Sequence, residues 1–147
     1  MGKHVIAGAG QVGSEVARLL AGQGHEVVLV SRSGSGPDLQ GVRKAVADVA
    51  DRERLTTLAE GADTFYNCVN PPYHRWAQDW PAMAGSMLAT AEATGAGYVI
   101  LGCLYGYGAP ERPMRRATRS RRPAPRARSG PVCGGRPWPR TRRGGSG

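Results

Sequence analysis

At 147 residues, 40% of them hydrophobic, the chain is long enough for one domain with a buried core and short for two. Its formal charge of +9 is uneven: residues 1–110 hold eight Lys and Arg against ten Asp and Glu, whereas residues 111–147 hold twelve Arg against the single acid Glu111. The basic balance therefore belongs to the C-terminal segment and says nothing about the folded part.

The first predicted strand is the apolar, β-prone run His4 to Ala7, which leads into Gly8-Ala9-Gly10-Gln11-Val12-Gly13. Val12, Val16, Leu19 and Leu20 recur at helical spacing until Gly22 and Gly24 stop the helix. The second strand is predicted over Glu26 to Ser31, whose continuous Val-Val-Leu-Val run suits a parallel sheet buried on both faces. Residues 32–41 carry Gly34, Gly36, Pro37 and Gly41, so this crossover reads as a loop, with a third strand over Val42 to Val49. Asp51 is placed to cap a helix over 52–60, and Thr64 to Val69 reads as strand four. Pro71 and Pro72 precede a long Ala-rich helix from Trp76 to Thr94, and Tyr98 to Leu101 is strand five. Five strands at this spacing predict an α/β fold, a Rossmann-type doubly wound parallel sheet, over residues 1–110. Residues 111–147 combine twelve Arg with six Pro, six Gly and almost no aliphatic side chain, so a disordered C-terminal tail is expected there.

Nothing in the sequence suggests a secretory leader or a membrane-spanning stretch, and Ile6 stands where a myristoylation pattern needs Ser or Thr, so a cytoplasmic protein without a membrane partner is expected. Cys68, Cys103 and Cys133 are widely spaced and form no C-x-x-C pair, so neither a disulfide framework nor a metal site is expected.

The strand–glycine turn–helix context turns the otherwise weak G-x-G-x-x-G pattern into a dinucleotide-binding expectation. Gly8 would permit the tight turn, Gly10 the approach of a pyrophosphate, and Gly13 close packing of helix on strand. The N–H groups of Gln11, Val12 and Gly13 would face the anion, aided by the helix dipole. At the end of strand two an Asp or Glu would select NAD, and this chain has Ser31-Arg32-Ser33 instead. The guanidinium of Arg32 and the two hydroxyls favour a 2′-phosphate, so NADP is preferred over NAD; the plainer reading of Arg32 is a solvated loop arginine. Asp48 either accepts from the adenine amine or serves as a surface acid or turn cap. Asn70 and Pro71 lie at the carboxyl edge of the sheet, where ligands of such folds bind, while Asn67 is expected to satisfy nearby backbone groups.

Together with Val46-Ala47-Asp48-Val49, Ala62-Asp63-Thr64-Phe65-Tyr66-Asn67 and Leu101-Gly102-Cys103-Leu104-Tyr105-Gly106-Tyr107-Gly108, these motifs resemble the extended or atypical short-chain dehydrogenase/reductase family, the NAD-dependent epimerase/dehydratase group. The resemblance runs from residue 4 to about 110 and implies an oxidoreductase or nucleotide-sugar epimerase ancestry. Three departures stand out. Ala7 occupies the first glycine of the family's G-x-x-G-x-x-G; Gly102 and Cys103 stand where its catalytic Ser or Thr belongs; and no Tyr-x-x-x-Lys pair exists, since the only lysines are Lys3 and Lys44. Tyr105 and Tyr107 are the remaining, weak candidates for the substrate side, and aromatic packing beside the cofactor is the reading preferred for them.

The family's substrate lobe is not recognisable after about residue 114, and the Arg, Pro, Gly, Ala and Ser alphabet there is what GC-rich DNA encodes in a shifted frame, so a truncated or frameshifted C-terminal half is expected. Three functions compete: an NAD(P)-dependent enzyme, a non-catalytic dinucleotide-binding or redox-sensing module, and nucleic-acid binding through the basic tail. The last is weakest, because the tail holds one aromatic, Trp138. The substrate is left open, and self-association into a homo-oligomer is compatible with the sequence.

Overall fold

The computed structural model describes residues 1–102 and 113–114. Five strands, β1 (Lys3–Ala7), β2 (Glu26–Ser31), β3 (Val42–Val46), β4 (Thr64–Asn67) and β5 (Gly97–Ile100), form one parallel sheet in the order β3-β2-β1-β4-β5. The helices are α1 (Gln11–Gly22), α2 (Arg52–Ala59) and α3 (Trp76–Thr94), the last preceded by a 3-10 turn over Tyr73–Arg75. This is the doubly wound α/β arrangement expected from the sequence. Tyr105, Tyr107 and all of the basic segment except Pro113 and Met114 lie outside the described residues.

The Val-Val-Leu-Val run of β2 is apolar throughout because both faces of the sheet are covered. Ile6, Val27 and Leu29 point to the α1 layer, where they meet Ala17, Val16 and Leu20. The alternate residues Val5, Ala7, Val28 and Val30 point to the other layer with Phe65, where they meet Leu55 and Leu58 of α2 and Trp80 and Met87 of α3. In-register pairs such as Val5↔Val28 and Val5↔Phe65 fix which residue faces which layer.

The chain leaves β1 outward to β2 and β3, then crosses back to place β4 on β1's other side. The reversal opens a crevice at the carboxyl ends of β1 and β4, the place where open α/β sheets bind ligands. β3 and β4 stop two or three residues short of their predicted ends because polar side chains turn the chain. After β3, Asp48 accepts from the N–H of Ala50 at 2.9 Å while Asp51 N–H bonds the Asp48 carbonyl at 3.0 Å. After β4, Asn67 Oδ1 accepts from Val69 N–H at 3.2 Å. α3 tolerates Pro81 in its interior because the carbonyl that loses a partner, that of exposed Ala77, lies where water reaches it.

Among the described residues no helix is long and apolar enough to cross a membrane, and no group of three or more His, Cys, Asp or Glu side chains is placed to hold a metal ion.

Candidate functional site

The crevice at the switch point is a cleft of about 750 Å³. Its floor is the glycine turn. Gly8 has φ +102, a conformation that L side chains rarely adopt, and a Cβ there would stand 2.8 Å from the Cys68 carbonyl oxygen on β4's exit. At Gly13 a Cβ would collide with the Gly8 carbonyl oxygen, so this glycine lets α1 lie directly on the end of β1. Gly10 has open space on the side where a Cβ would be, which leaves the backbone accessible from the cleft.

Gly10 is also the N-cap of α1, with no side-chain cap and no acid in the first turn. The first helical bond runs from Ser14 N–H to the Gly10 carbonyl at 2.9 Å, so the N–H groups of Gln11, Val12 and Gly13 have no acceptor within the helix. This exposed, uncapped helix start leaves its N–H groups to solvent or to an anion at the mouth of the cleft.

Of the candidates read from the sequence, the structure brings Gly8, Gly10, Ser31, Arg32, Ser33, Asp48 and Asn70 to the lining of one cleft. Gln11, Val12 and Gly13 belong to the first turn of α1 behind it, Gly13 buried and the other two exposed. Arg32 is exposed and takes part in no ion pair among the described residues. The serine hydroxyls are differently disposed from the sequence expectation: Ser31 Oγ donates to the Ser35 carbonyl at 3.1 Å, and Ser33 Oγ donates to Ser35 Oγ at 3.0 Å. Their protons are spent inside the loop, and the hydroxyl left to donate is that of Ser35, which also lines the cleft. Asp48 keeps both readings, since one carboxylate oxygen caps the turn while the residue borders the cleft.

Asn67 does not reach the cleft. It is buried and bonds Val69 N–H and the Tyr98 hydroxyl, the latter as donor at 3.0 Å. Cys68 does border the cleft, and burial pushes its thiol pKa up, which disfavours the reactive thiolate.

The far wall was not legible as a site in the sequence. Arg75, Gln78, Asp79, Ala82 and Met83, from the 3-10 turn and the start of α3, face the cleft. The Pro71-Pro72 break before a helix was the signal available, since it returns the chain across the carboxyl edge of the sheet.

The fold and this cleft define a Rossmann-type α/β protein with its glycine turn at the topological switch point. The chain belongs to the NAD dependent epimerase/dehydratase family, whose model matches residues 4–130. That match passes the boundary near 110 at which the motif resemblance stops. Solved structures share the fold. WbmH from Bordetella bronchiseptica in complex with NAD+ matches at a TM-score of 0.70 and 22% identity, over 82% of this chain and 46% of that one. UDP-glucose 4-epimerase from Brucella ovis in complex with NAD matches at 0.69 and 23%, over 88% and 44%. Uronate dehydrogenase from Agrobacterium tumefaciens matches at 0.67 and 20%, over 88% and 52%. The chain thus spans about half the length of these proteins. A comparison with curated proteins finds no match.

Proposed function

We propose that the chain binds a nicotinamide dinucleotide in this cleft, with the pyrophosphate over Gly8 and Gly10 at the start of α1 and with NADP preferred over NAD. One observation carries the preference: the residues after β2 that line the cleft are Ser31, Arg32, Ser33 and Ser35, with no acid among them. An acid at that place would bond the ribose hydroxyls of NAD and repel a 2′-phosphate; a guanidinium without its own carboxylate attracts one. Asp48, across the cleft at the end of β3, is left to accept from the adenine amine, and Asn70 to meet the ribose or phosphates nearer β4. The solved relatives bound to NAD support the dinucleotide part of this reading.

Calorimetric titration with NADPH and NADH tests it. Tighter binding of NADPH is the expected result, and equal affinity overturns the preference.

Binding without the family's usual proton transfer is the reading favoured for the chemistry. When bound, the cofactor supplies hydride transfer, and a Tyr-x-x-x-Lys pair commonly supplies the proton. Both lysines of this chain are engaged elsewhere. Lys3 Nζ donates to the Glu60 carbonyl at 2.5 Å, and Lys44 Nζ pairs with Asp38 at 2.5 Å; neither lines the cleft. No lysine is therefore available to lower a tyrosine pKa there. A dinucleotide-binding or redox-sensing role with a small-molecule partner is the reading that this supports. Turnover of a nucleotide-sugar substrate by the purified chain would overturn the non-catalytic part.

A further inference from the structure

Arg75 stands at an unfavourable place for a cation. It is the N-cap residue of α3, where the helix dipole repels positive charge, and its side chain caps nothing. Its partner, Asp79, lies four residues further on, and acid C-terminal to base is the weaker order for such a helical pair. Helix stability therefore gives no reason for an arginine here, whereas the cleft does, because Arg75 and Asp79 both line it.

The pair is bidentate, with Arg75 Nε donating to Asp79 Oδ2 at 2.9 Å and Nη2 donating to Oδ1 at 3.0 Å. A guanidinium has five N–H groups, so three remain, both on Nη1 and one on Nη2, along the edge turned away from Asp79. That edge is a second fork of the kind that grips phosphate. Arg32 comes from the other side of β1, and its charge reaches the same carboxylate. The Asp79 carboxyl is held below the usual range by the Arg75 hydrogen bond first, and by the charges of Arg75, Arg32 and His74 in turn.

We propose that Arg75, oriented by Asp79, is a second cationic contact for the cofactor's 2′-phosphate, facing Arg32 across the cleft. This rests on the NADP reading above. Two guanidiniums and one carboxylate leave the cluster positive for a phosphate that carries close to two negative charges. Asp79 acts as a positioning residue, fixing the guanidinium plane so that less side-chain freedom is lost when phosphate arrives.

The test is calorimetric titration of the full chain and of the Arg75→Ala and Arg75→Gln variants, with NADPH against NADH and with adenosine 2′,5′-bisphosphate against adenosine 5′-monophosphate. Gln keeps a donor for Asp79 without the charge, and it serves if Ala disturbs the start of α3. Roughly tenfold weaker binding is expected for the two 2′-phosphorylated ligands in both variants, with the other two ligands changing less than about twofold. Equal weakening of all four ligands, or unchanged affinity for the 2′-phosphorylated pair, overturns the role of Arg75. The two failures are distinguishable. If the unsubstituted chain shows no preference for NADPH, the NADP reading has failed and this inference with it; if it prefers NADPH and the Arg75 variants keep that preference, only the inference has failed.

Discussion

Gly13 on α1 and Gly8 at the end of β1 are packed so closely that no side chain fits between the first and the carbonyl oxygen of the second. Gly10, between them in sequence, has open space instead. The three glycines of one motif therefore answer to different substitutions. Gly13→Ala should force α1 away from β1 and cost about 1–3 kcal/mol of stability, the usual range for overpacking a tight contact. Gly10→Val should leave the fold intact and abolish dinucleotide binding, because its side chain would occupy the space a pyrophosphate needs. Urea unfolding with a parallel titration separates the two. A Gly10→Val chain that still binds would mean that the glycines serve only the turn.

A pair of histidines at the opposite end of the sheet should make stability depend on pH. His25 Nδ1 accepts from Gly2 N–H at 3.1 Å and lies 3.3 Å from Nε2 of His4, which then carries the donated proton. The other nitrogen of His4, Nδ1, is buried without a partner. Protonation would place a charged N–H in that unpartnered position beside His25. Burial and then His25 accordingly pull the His4 pKa below its ordinary 6.5, against a smaller upward pull from Asp63. Tyr66 is the remaining titratable neighbour, its ring 5.9 Å from that of His4. With the folded pKa below the unfolded one, the unfolded chain binds the proton first. The contribution is therefore complete above pH 6.5 and is lost as pH falls from there toward the folded value. Unfolding midpoints at pH 7.5 and 5.5 should differ more for the natural chain than for His4→Leu. An identical difference in both would remove His4 as the cause.

Asp51 offers a local test of how the crossover from β3 to β4 is fixed. Its carboxylate accepts from Arg54 N–H at 3.0 Å, capping α2, while its own N–H bonds the Asp48 carbonyl. Asp51→Ala should lower stability by about 1 kcal/mol through loss of the cap. It should also loosen the turn that presents Asp48 to the cleft. Chemical denaturation checks the first effect; a change below a few tenths of a kcal/mol would mean that the turn holds without the cap.

Patterns that depend on one face or one contact were legible in the sequence. The β2 run betrayed a strand buried on both sides, Asp51 announced α2, and α3 occupies the predicted span Trp76–Thr94. The glycine turn was legible because Gly8 and Gly13 each meet a steric demand that no other residue satisfies, and Gly10 completes the motif with open space at its Cβ side. The ends of β3 and β4 were not, since whether Asp48 or Asn67 bonds solvent or folds back on the chain is decided by the neighbouring backbone. The α3 wall was missed for a related reason: only the crossover brings Arg75, Gln78 and Asp79 to the cleft that the carboxyl ends of β1 and β2 also line. The serines of the loop after β2 looked like anion donors, yet Ser31 and Ser33 spend their protons on Ser35.

Arg32 is the residue on which the proposed cofactor preference rests, and its substitution should act on one ligand only. Arg32→Ala should remove the proposed charge-assisted contact to the 2′-phosphate, worth about 1.5–3 kcal/mol, or roughly tenfold to 150-fold in NADPH affinity. NADH lacks that phosphate and should bind as before. Arg32→Asp goes further, because a carboxylate after β2 would accept from the ribose hydroxyls of NADH and repel the phosphate of NADPH. The preference should then invert. Because Arg32 is exposed and makes no ion pair among the described residues, neither change should disturb the fold, so thermal melts without ligand should superimpose on those of the natural chain. Salt supplies an independent check: the NADPH affinity of the natural chain should fall with ionic strength more steeply than that of Arg32→Ala, since one exposed cation–phosphate contact is screened in the first and absent in the second. Parallel salt dependence in the two chains, with an unchanged NADPH to NADH ratio, would return Arg32 to the status of a solvated loop arginine.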